Sequence, residues 1–260
     1  MQDSLIEVIF LGDVVGKPGR LAVKEFIKKA EADFIVINGE NLAGGLGITP
    51  KVAEEMFSCG VDVITTGNHV WKKKEVMAYL GTEKRLLRPL NYPPEAPGYG
   101  FTVVKKGDKK ICVVNIEGRI FMNPLPCPFR AMEEFLKREG IEEPVIVDFH
   151  AEATSEKIAM GWFLDGKVSA VIGTHTHVQT SDERILPKGT GYITDAGMTG
   201  PQDSVIGMEK DIIIERFLTQ IPQKFCVGKD NVEIQGVKLK IDKETRKCVT
   251  IERLKIKVEL

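Results

Sequence analysis

Gly173-Thr-His-Thr-His-Val-Gln-Thr180 follows directly on the apolar run Val168-Ser-Ala-Val-Ile172 and carries two of the chain's four histidines. In an extended segment, side chains at i and i+2 share a face, so His175 and His177 would present two ring nitrogens to one cavity. Such a pair suits a metal ion, yet an isolated His-x-His also arises in ordinary surface loops. The rest of the chain has to decide.

The same arrangement recurs along the chain. Ile6 to Leu11 reads as a buried strand, with Asp13 just past its end in the turn Gly12 to Gly19 and a helix from Arg20 to Ala32. Phe34 to Asn38 is a second strand that runs into Gly39-Glu-Asn-Leu-Ala-Gly-Gly-Leu-Gly-Ile48, placing Glu40 and Asn41 beyond its end. Gly44, Gly45 and Gly47 either admit a close ligand or mark a flexible loop. Thr49-Pro50 forms the N-cap and N1 pair of a helix to Cys59. Val61 to Thr66 delivers Asn68 and His69 ahead of a helix from Lys72 to Leu80, and Pro144 to Phe149 delivers His150 ahead of one from Ala153 to Leu164. In open α/β sheets the carboxyl ends of strands form the ligand-binding crevice. Asp13, Glu40, Asn41, Asn68, His69, His150, His175 and His177 should therefore gather at one edge, and they include every histidine in the protein.

The remaining chain offers less chemistry. Gly81 to Gly100 reads as a surface connection, Phe101 to Lys105 with Lys110 to Ile116 as a strand pair, and Phe129 to Arg138 as amphipathic. Arg184 to Asp195 reads as a hairpin and Met208 to Thr219 as a helix. Val232 to Asp242 with Cys248 to Val258 forms a closing hairpin that is a candidate pairing edge for a homo-oligomer. No linker or repeat divides the chain, which reads as one domain over residues 1–260.

Composition excludes several classes. The 260 residues are 43% hydrophobic, enough for a sizeable core, and 36 basic against 37 acidic residues leave a net charge of -1. Such a surface does not hold duplex DNA by a global field. Five cysteines, odd in number and without a C-x-x-C pair, speak against a disulfide framework or zinc knuckle and fit a reducing cytoplasm. Neither a signal peptide nor an apolar run long enough for a bilayer is visible. Gly12 to Gly16 is one residue too short for a P-loop, and Pro18 stands where that motif needs Ser or Thr.

Seven or eight oxygen and imidazole donors are too many for one tetrahedral zinc but suit two ions roughly 3.5 to 4 Å apart, with Glu40 as the bridging carboxylate. Two carboxylates against two divalent ions leave about two positive charges, which favours an anionic phosphate ester over a neutral amide. An amidohydrolase would open with His-x-His on its first strand, whereas here it comes late.

The blocks Gly12-Asp13, Gly39-Glu-Asn41, Gly67-Asn-His69, His150 and Gly173-Thr-His-Thr-His177 resemble the calcineurin-like metallophosphoesterases. Glu-Asn-Leu-Ala-Gly-Gly, Thr-Gly-Asn-His-Val-Trp and Gly-Thr-His-Thr-His-Val-Gln-Thr are similar to the bacterial YmdB branch. That resemblance implies a four-layer α/β/β/α sandwich, two mixed sheets flanked by helices, and phosphodiesterase activity on 2',3'-cyclic nucleotides with iron or manganese. It implies one metal on Asp13, Glu40, Asn41 and His177 and a second on Glu40, Asn68, His150 and His175. The two ions would lower the pKa of a shared water, the resulting hydroxide would attack phosphorus in line, and His69 would protonate the departing ribose oxygen.

Two departures from the superfamily stand out. Its Asp-x-His is Asp13-Val-Val15 here, and its bridging Asp is Glu40, so the first site is richer in oxygen and zinc is not the default. Asp148, Glu152, Gln179, Thr180 and Asp195 either orient the ligands or are ordinary polar loop residues, and Trp71 and Met198 either line a base pocket or pack. A regulatory or RNA-associated metal-binding protein with weak turnover is the rival reading, with short RNA as its partner. The free His69 and the lack of an aromatic-basic stripe favour the enzyme.

Overall fold

The computed structural model describes residues 4–138 and 140–259. The first sheet contains β1 (Leu5–Leu11), β2 (Asp13–Val14), β3 (Phe34–Asn38) and β4 (Val63–Thr65). Helices α1 (Gly16–Ile27), α2 (Pro50–Ser58) and α3 (Val76–Leu80) alternate with these strands. The second sheet contains β5 (Phe101–Lys106), β6 (Lys109–Glu117), β7 (Val145–His150), β8 (Ala170–Thr174), β9 (Arg184–Ile185) and β10 (Gly191–Ile193), in the spatial order β5-β6-β7-β8-β10-β9. Helices α4 (Pro128–Leu136) and α5 (Thr154–Leu164) belong to this half. After it come β11 (Met198–Pro201), α6 (Lys210–Thr219), β12 (Val232–Asp242) and β13 (Cys248–Lys257). The three late strands complete the first sheet, whose order is β2-β11-β12-β1-β3-β4 with β13 also paired to β12. Both sheets are mixed, with β6, β7, β8 and β10 parallel and β5 and β9 antiparallel at the edges.

Period-two alternation explains the layering. Ile6, Val8 and Phe10 of β1 pack with Ile111 and Val113 of β6, Ile146 of β7 and Ala170 and Ile172 of β8 in a central core between the sheets. Ile9 and Leu11 face Ala22, Val23 and Ala53 of the first helices. Cys112, Val114, Val145 and Val147 face Met132, Phe135, Met160 and Leu164 of α4 and α5. Three apolar cores thus separate four layers, which is the α/β/β/α sandwich. Among the described residues no helix is long and apolar enough to cross a membrane.

Four local readings change. The first helix begins at Gly16, not Arg20, because a proline in the first turn gives up only an N–H that would lack an intrahelical partner. The Lys72 to Leu80 helix is split into a 3-10 turn at Val70–Lys72 and the short α3. The segment Gly81 to Gly100 is no mere surface link: Leu86 and Leu87 are fully buried, the bridge Ile64↔Leu86 ties it to the end of the first sheet, and the bridge Leu87↔Tyr99 closes it on itself. Strands β2 and β11, only two and four residues long, form by pairing with each other and had no pattern of their own to betray them.

Candidate metal centre

The ends of β1, β3 and β4 in one sheet and of β7 and β8 in the other converge. Asp13, Glu40, Asn41 and His150 form a floor at most 2% exposed, and Asn68, His69, His175 and His177 form a half-buried rim. The chain approaches so closely that a Cβ on Gly67 would lie 2.1 Å from His150 Cδ2 and 2.5 Å from Glu40 Oε2. Only glycine fits that position. Gly45, by contrast, is left-handed (φ 85°), and its missing side chain makes room for Met208 and Val227 of the protein itself.

Glu40 divides the cluster. Its Oε2 lies 3.1 Å from His150 Nε2, which in turn lies 3.1 Å from Asn68 Oδ1 and 3.0 Å from His175 Nδ1. Ligand atoms of Glu40, His150 and His175 all fall within 4.8 Å of one another. Glu40 Oε1 faces the other group, 3.2 Å from Asn41 Nδ2 and 3.2 Å from His69 Nδ1. Asn41 Nδ2 is also 3.1 Å from His177 Nε2, which stands 3.6 Å from Asp13 Oδ1. The Asn41 amide therefore turns its nitrogen toward this second group and its oxygen to His69 Nδ1 at 2.9 Å, so it must turn over to serve as an oxygen ligand.

His175 and His177 do not continue the strand as read from sequence. The chain bends after Thr174, and both histidines take left-handed backbone, with φ of 103° and 64°. Non-glycine residues persist there only when their surroundings hold them. The His175 amide donates to Asp13 Oδ2 at 3.0 Å. Thr176 donates to Asp195 Oδ2 from both its amide, at 3.1 Å, and its hydroxyl, at 2.8 Å. Asp195 is paired with Lys157 Nζ at 2.7 Å, both side chains being 1% exposed. The outward nitrogens of the two rings are also occupied: His177 Nδ1 lies 2.9 Å from Ile206 O and His175 Nε2 lies 3.0 Å from Glu152 Oε2. Such partners fix the tautomer and leave the inward nitrogen for a cation.

Charge within the cluster is strongly polarised. Burial alone would lower the His150 pKa, but Glu40, helped by Asp13 and Asp148, raises it to about 10. Burial and the neighbouring His150 charge push His175 down to about 3. Against the cost of burial, His150 and His69 hold Glu40 well below the ordinary carboxylate value, and His177 and His150 lower Asp13. Asp13 Oδ1 is buried without a hydrogen-bond partner, 3.6 Å from His177 Nε2.

Of the other residues singled out in the sequence, Asp195 and Glu152 hold the histidine loop as described. Asp148 lies beneath His150, bonded to Thr174, Thr65 and Asn38. Gln179 instead clamps carbonyls of Ala196, Gly236 and Leu254, while Thr180 donates to Asp182 and accepts from the Asp195 amide at 3.0 Å, which ties it to the carboxylate that holds the histidine loop. Trp71 stacks edge-on against Tyr92 at 5.5 Å beside the core, and Met198 is 3% exposed in a strand, so both pack. Lys157, Thr174, Asn38 and Thr65 went unread. The signal was present for Asn38, Thr174 and Thr65: each is a polar residue closing an apolar strand run.

The chain is similar to known proteins over nearly its whole length. The chain is 48% identical over 256 residues to the 2',3'-cyclic-nucleotide 2'-phosphodiesterase of Bacillus subtilis (strain 168), covering 96% of this chain and 97% of that one. The crystal structure of a hypothetical protein from Thermus thermophilus superposes with a TM-score of 0.90 at 41% identity, covering 98% and 100% of the two chains. That of a novel phosphatase from Mycoplasma pneumoniae gives 0.90 at 38% identity, over 97% and 94%. Residues 9–254 match the family described as YmdB-like protein, a span that takes in every strand end of the centre, and the chain belongs to that YmdB-like family.

Proposed function

We propose that the protein is a phosphodiesterase that hydrolyses 2',3'-cyclic nucleotides and needs two transition-metal ions, iron or manganese. The observation that carries this reading is Glu40, whose two oxygens face two separate donor groups, His150 on one side and Asn41 on the other. Asp13, Glu40, Asn41 and His177 would hold one ion, and Glu40, Asn68, His150 and His175 the other. The donor set fits, since two carboxylates, two amides and three imidazoles suit iron or manganese, and the unpartnered Asp13 Oδ1 supplies a free lone pair. Bound divalent ions supply positive charge toward phosphate oxygens and lower the pKa of water.

The chain's own groups do the rest. The carboxylates of Asp13 and Glu40 neutralise only part of the charge of two divalent ions, which leaves the centre attractive to a phosphodiester anion. His69 has a side chain 27% exposed, and its Nδ1 lies 2.9 Å from Asn41 Oδ1. With the Asn41 amide turned over to ligate through its oxygen, Asn41 Nδ2 would donate to that Nδ1 and leave the ring hydrogen on Nε2. That Nε2 is then the nitrogen that turns to substrate and gives a proton to the departing ribose oxygen. The named activity of the Bacillus subtilis relative supports the same substrate class.

The test is elemental analysis together with a hydrolysis panel of 2',3'- and 3',5'-cyclic nucleotides, nucleotide monoesters and short RNA. We expect about two ions per chain and turnover of the 2',3'-cyclic compounds. Hydrolysis of monoesters alone would overturn the reading.

A further inference from the structure

We infer that Asp148, acting through Thr174 and Asn38, is the positioning residue that sets the histidine tautomer of the centre and locks the two sheets in register beneath it. The inference rests on the proposed function in taking His150 and Glu40 as metal ligands.

Asp148 lies in the apolar strand Val145–His150, two residues before His150 and on the same, central face. It is 0% exposed, in the layer between the sheets. A buried carboxylate there is costly unless fully bonded. Three donors converge on it: Thr174 Oγ1 reaches Oδ1 at 2.7 Å, while Thr65 Oγ1 at 2.5 Å and Asn38 Nδ2 at 2.9 Å reach Oδ2. Thr174 belongs to the second sheet, as Asp148 does, whereas Asn38 and Thr65 belong to the first. The carboxylate is therefore a polar staple between two layers whose packing contacts in this core are apolar.

Each strand of the staple ends on a ligand. A threonine hydroxyl has one proton, and that of Thr174 goes to Asp148, so toward His150 Nδ1, 2.9 Å away, Thr174 presents only a lone pair. Nδ1 must then carry the hydrogen. Nε2 is then the nitrogen that gives up its proton to a cation, directed at the point shared with Glu40 Oε2, Asn68 Oδ1 and His175 Nδ1. Asn38 comes within 3.4 Å of the same ring nitrogen, but its amide hydrogens are taken by Asp148 and by Thr66 O. Because Asp148 fixes that amide, Asn38 Oδ1 is turned to accept the Glu40 backbone N–H at 3.2 Å. One carboxylate thus orients a ligand from each sheet. The arrangement lengthens by one hydroxyl the familiar pairing of a metal-bound histidine with a carboxylate.

The test measures manganese affinity by competition with a chelator, and ion content by elemental analysis, in the wild type, Thr174→Val, Thr174→Ser and Asp148→Asn. Thr174→Val keeps the shape but loses the hydroxyl. It should weaken one of the two ions about 10- to 100-fold, the usual effect of removing an outer partner of a metal-binding histidine. Thr174→Ser should restore wild-type affinity, and Asp148→Asn should lose at least as much as Thr174→Val because it disturbs both His150 and Glu40. Turnover lost in Thr174→Val should return at saturating manganese, which a collapsed core would not allow. If the valine variant does not fold, Thr174→Ala makes the same deletion without crowding. Unchanged affinity in the valine or alanine variant, or equal loss in the serine variant, overturns the inference. Wild-type protein that binds two ions but hydrolyses no phosphodiester overturns the proposed function and leaves the Asp148 relay standing. Wild-type protein that binds none removes both.

Discussion

His150 Nε2 and His175 Nδ1 face each other at 3.0 Å, close enough that the two nitrogens share one proton or one cation. With His150 raised to about 10 and His175 lowered to about 3, the proton belongs to His150 at neutral pH. A metal ion must displace it, and displaced protons make binding tighter as pH rises. Manganese affinity should therefore increase at least about tenfold per unit between roughly pH 6 and 8. Calorimetry in buffers of different ionisation enthalpy reads the released proton directly, and a pH-independent affinity would mean that His150 is neutral before the ion arrives.

His69 touches ligands without filling either donor group. His69→Ala should retain both ions yet lose about 10²- to 10⁴-fold in kcat on 2',3'-cyclic AMP, the usual contribution of a general acid. His175→Ala should lose metal instead. Elemental analysis beside kinetics separates the two, and equal metal loss in both variants would contradict the role given to His69.

Lys157 and Asp195 form a buried ion pair that also anchors Thr176 between the two rim histidines. Lys157→Met strands the Asp195 charge in the interior and should cost about 3 to 5 kcal/mol in denaturant unfolding. It should also lower metal affinity by loosening the left-handed loop. A loss below about 1 kcal/mol would place water at Asp195, as for an exposed pair.

Glu117 ends β6 fully buried, with Oε2 lacking a hydrogen-bond partner, and burial raises its carboxyl from 4.5 to about 7. Below the unfolded value both states are protonated and the group is neutral to stability. Between the two values only the unfolded state releases its proton, so the native state loses ground as pH rises, by about 1.4 kcal/mol per unit, and the penalty is complete above the folded value. Glu117→Gln should raise the melting temperature at pH 8 and leave it unchanged at about pH 4.5. The same gain at both pH values would show that packing, not ionisation, is responsible.

Much of the fold was legible because β1, β3, β7 and β8 are largely buried on both faces and read as continuous apolar runs ended by polar residues. The donor residues were legible for the same reason, as each breaks or follows such a run. The bend at His175 was not, since a left-handed residue that is neither Gly nor Asn leaves no mark in sequence and is imposed by Asp13 and Asp195 from elsewhere in the chain. The Asn41 amide orientation and the Lys157 pair likewise arise only from tertiary contact. β2 and β11 escaped because each is stabilised by its partner rather than by its own composition.

The placement of β12 has a consequence for biosynthesis. Leu5 to Leu11 pairs along its whole length with Gly236 to Asp242, so one edge of the first strand made stays open until the closing hairpin has left the ribosome. An apolar strand with an unpaired edge recruits other chains. The nascent protein thus carries an open apolar edge through the whole interval in which the side chains of the centre are already made but the first sheet is incomplete. Slowing translation near Val232 should raise the aggregated fraction, and an unchanged fraction would show that the open edge recruits no other chain.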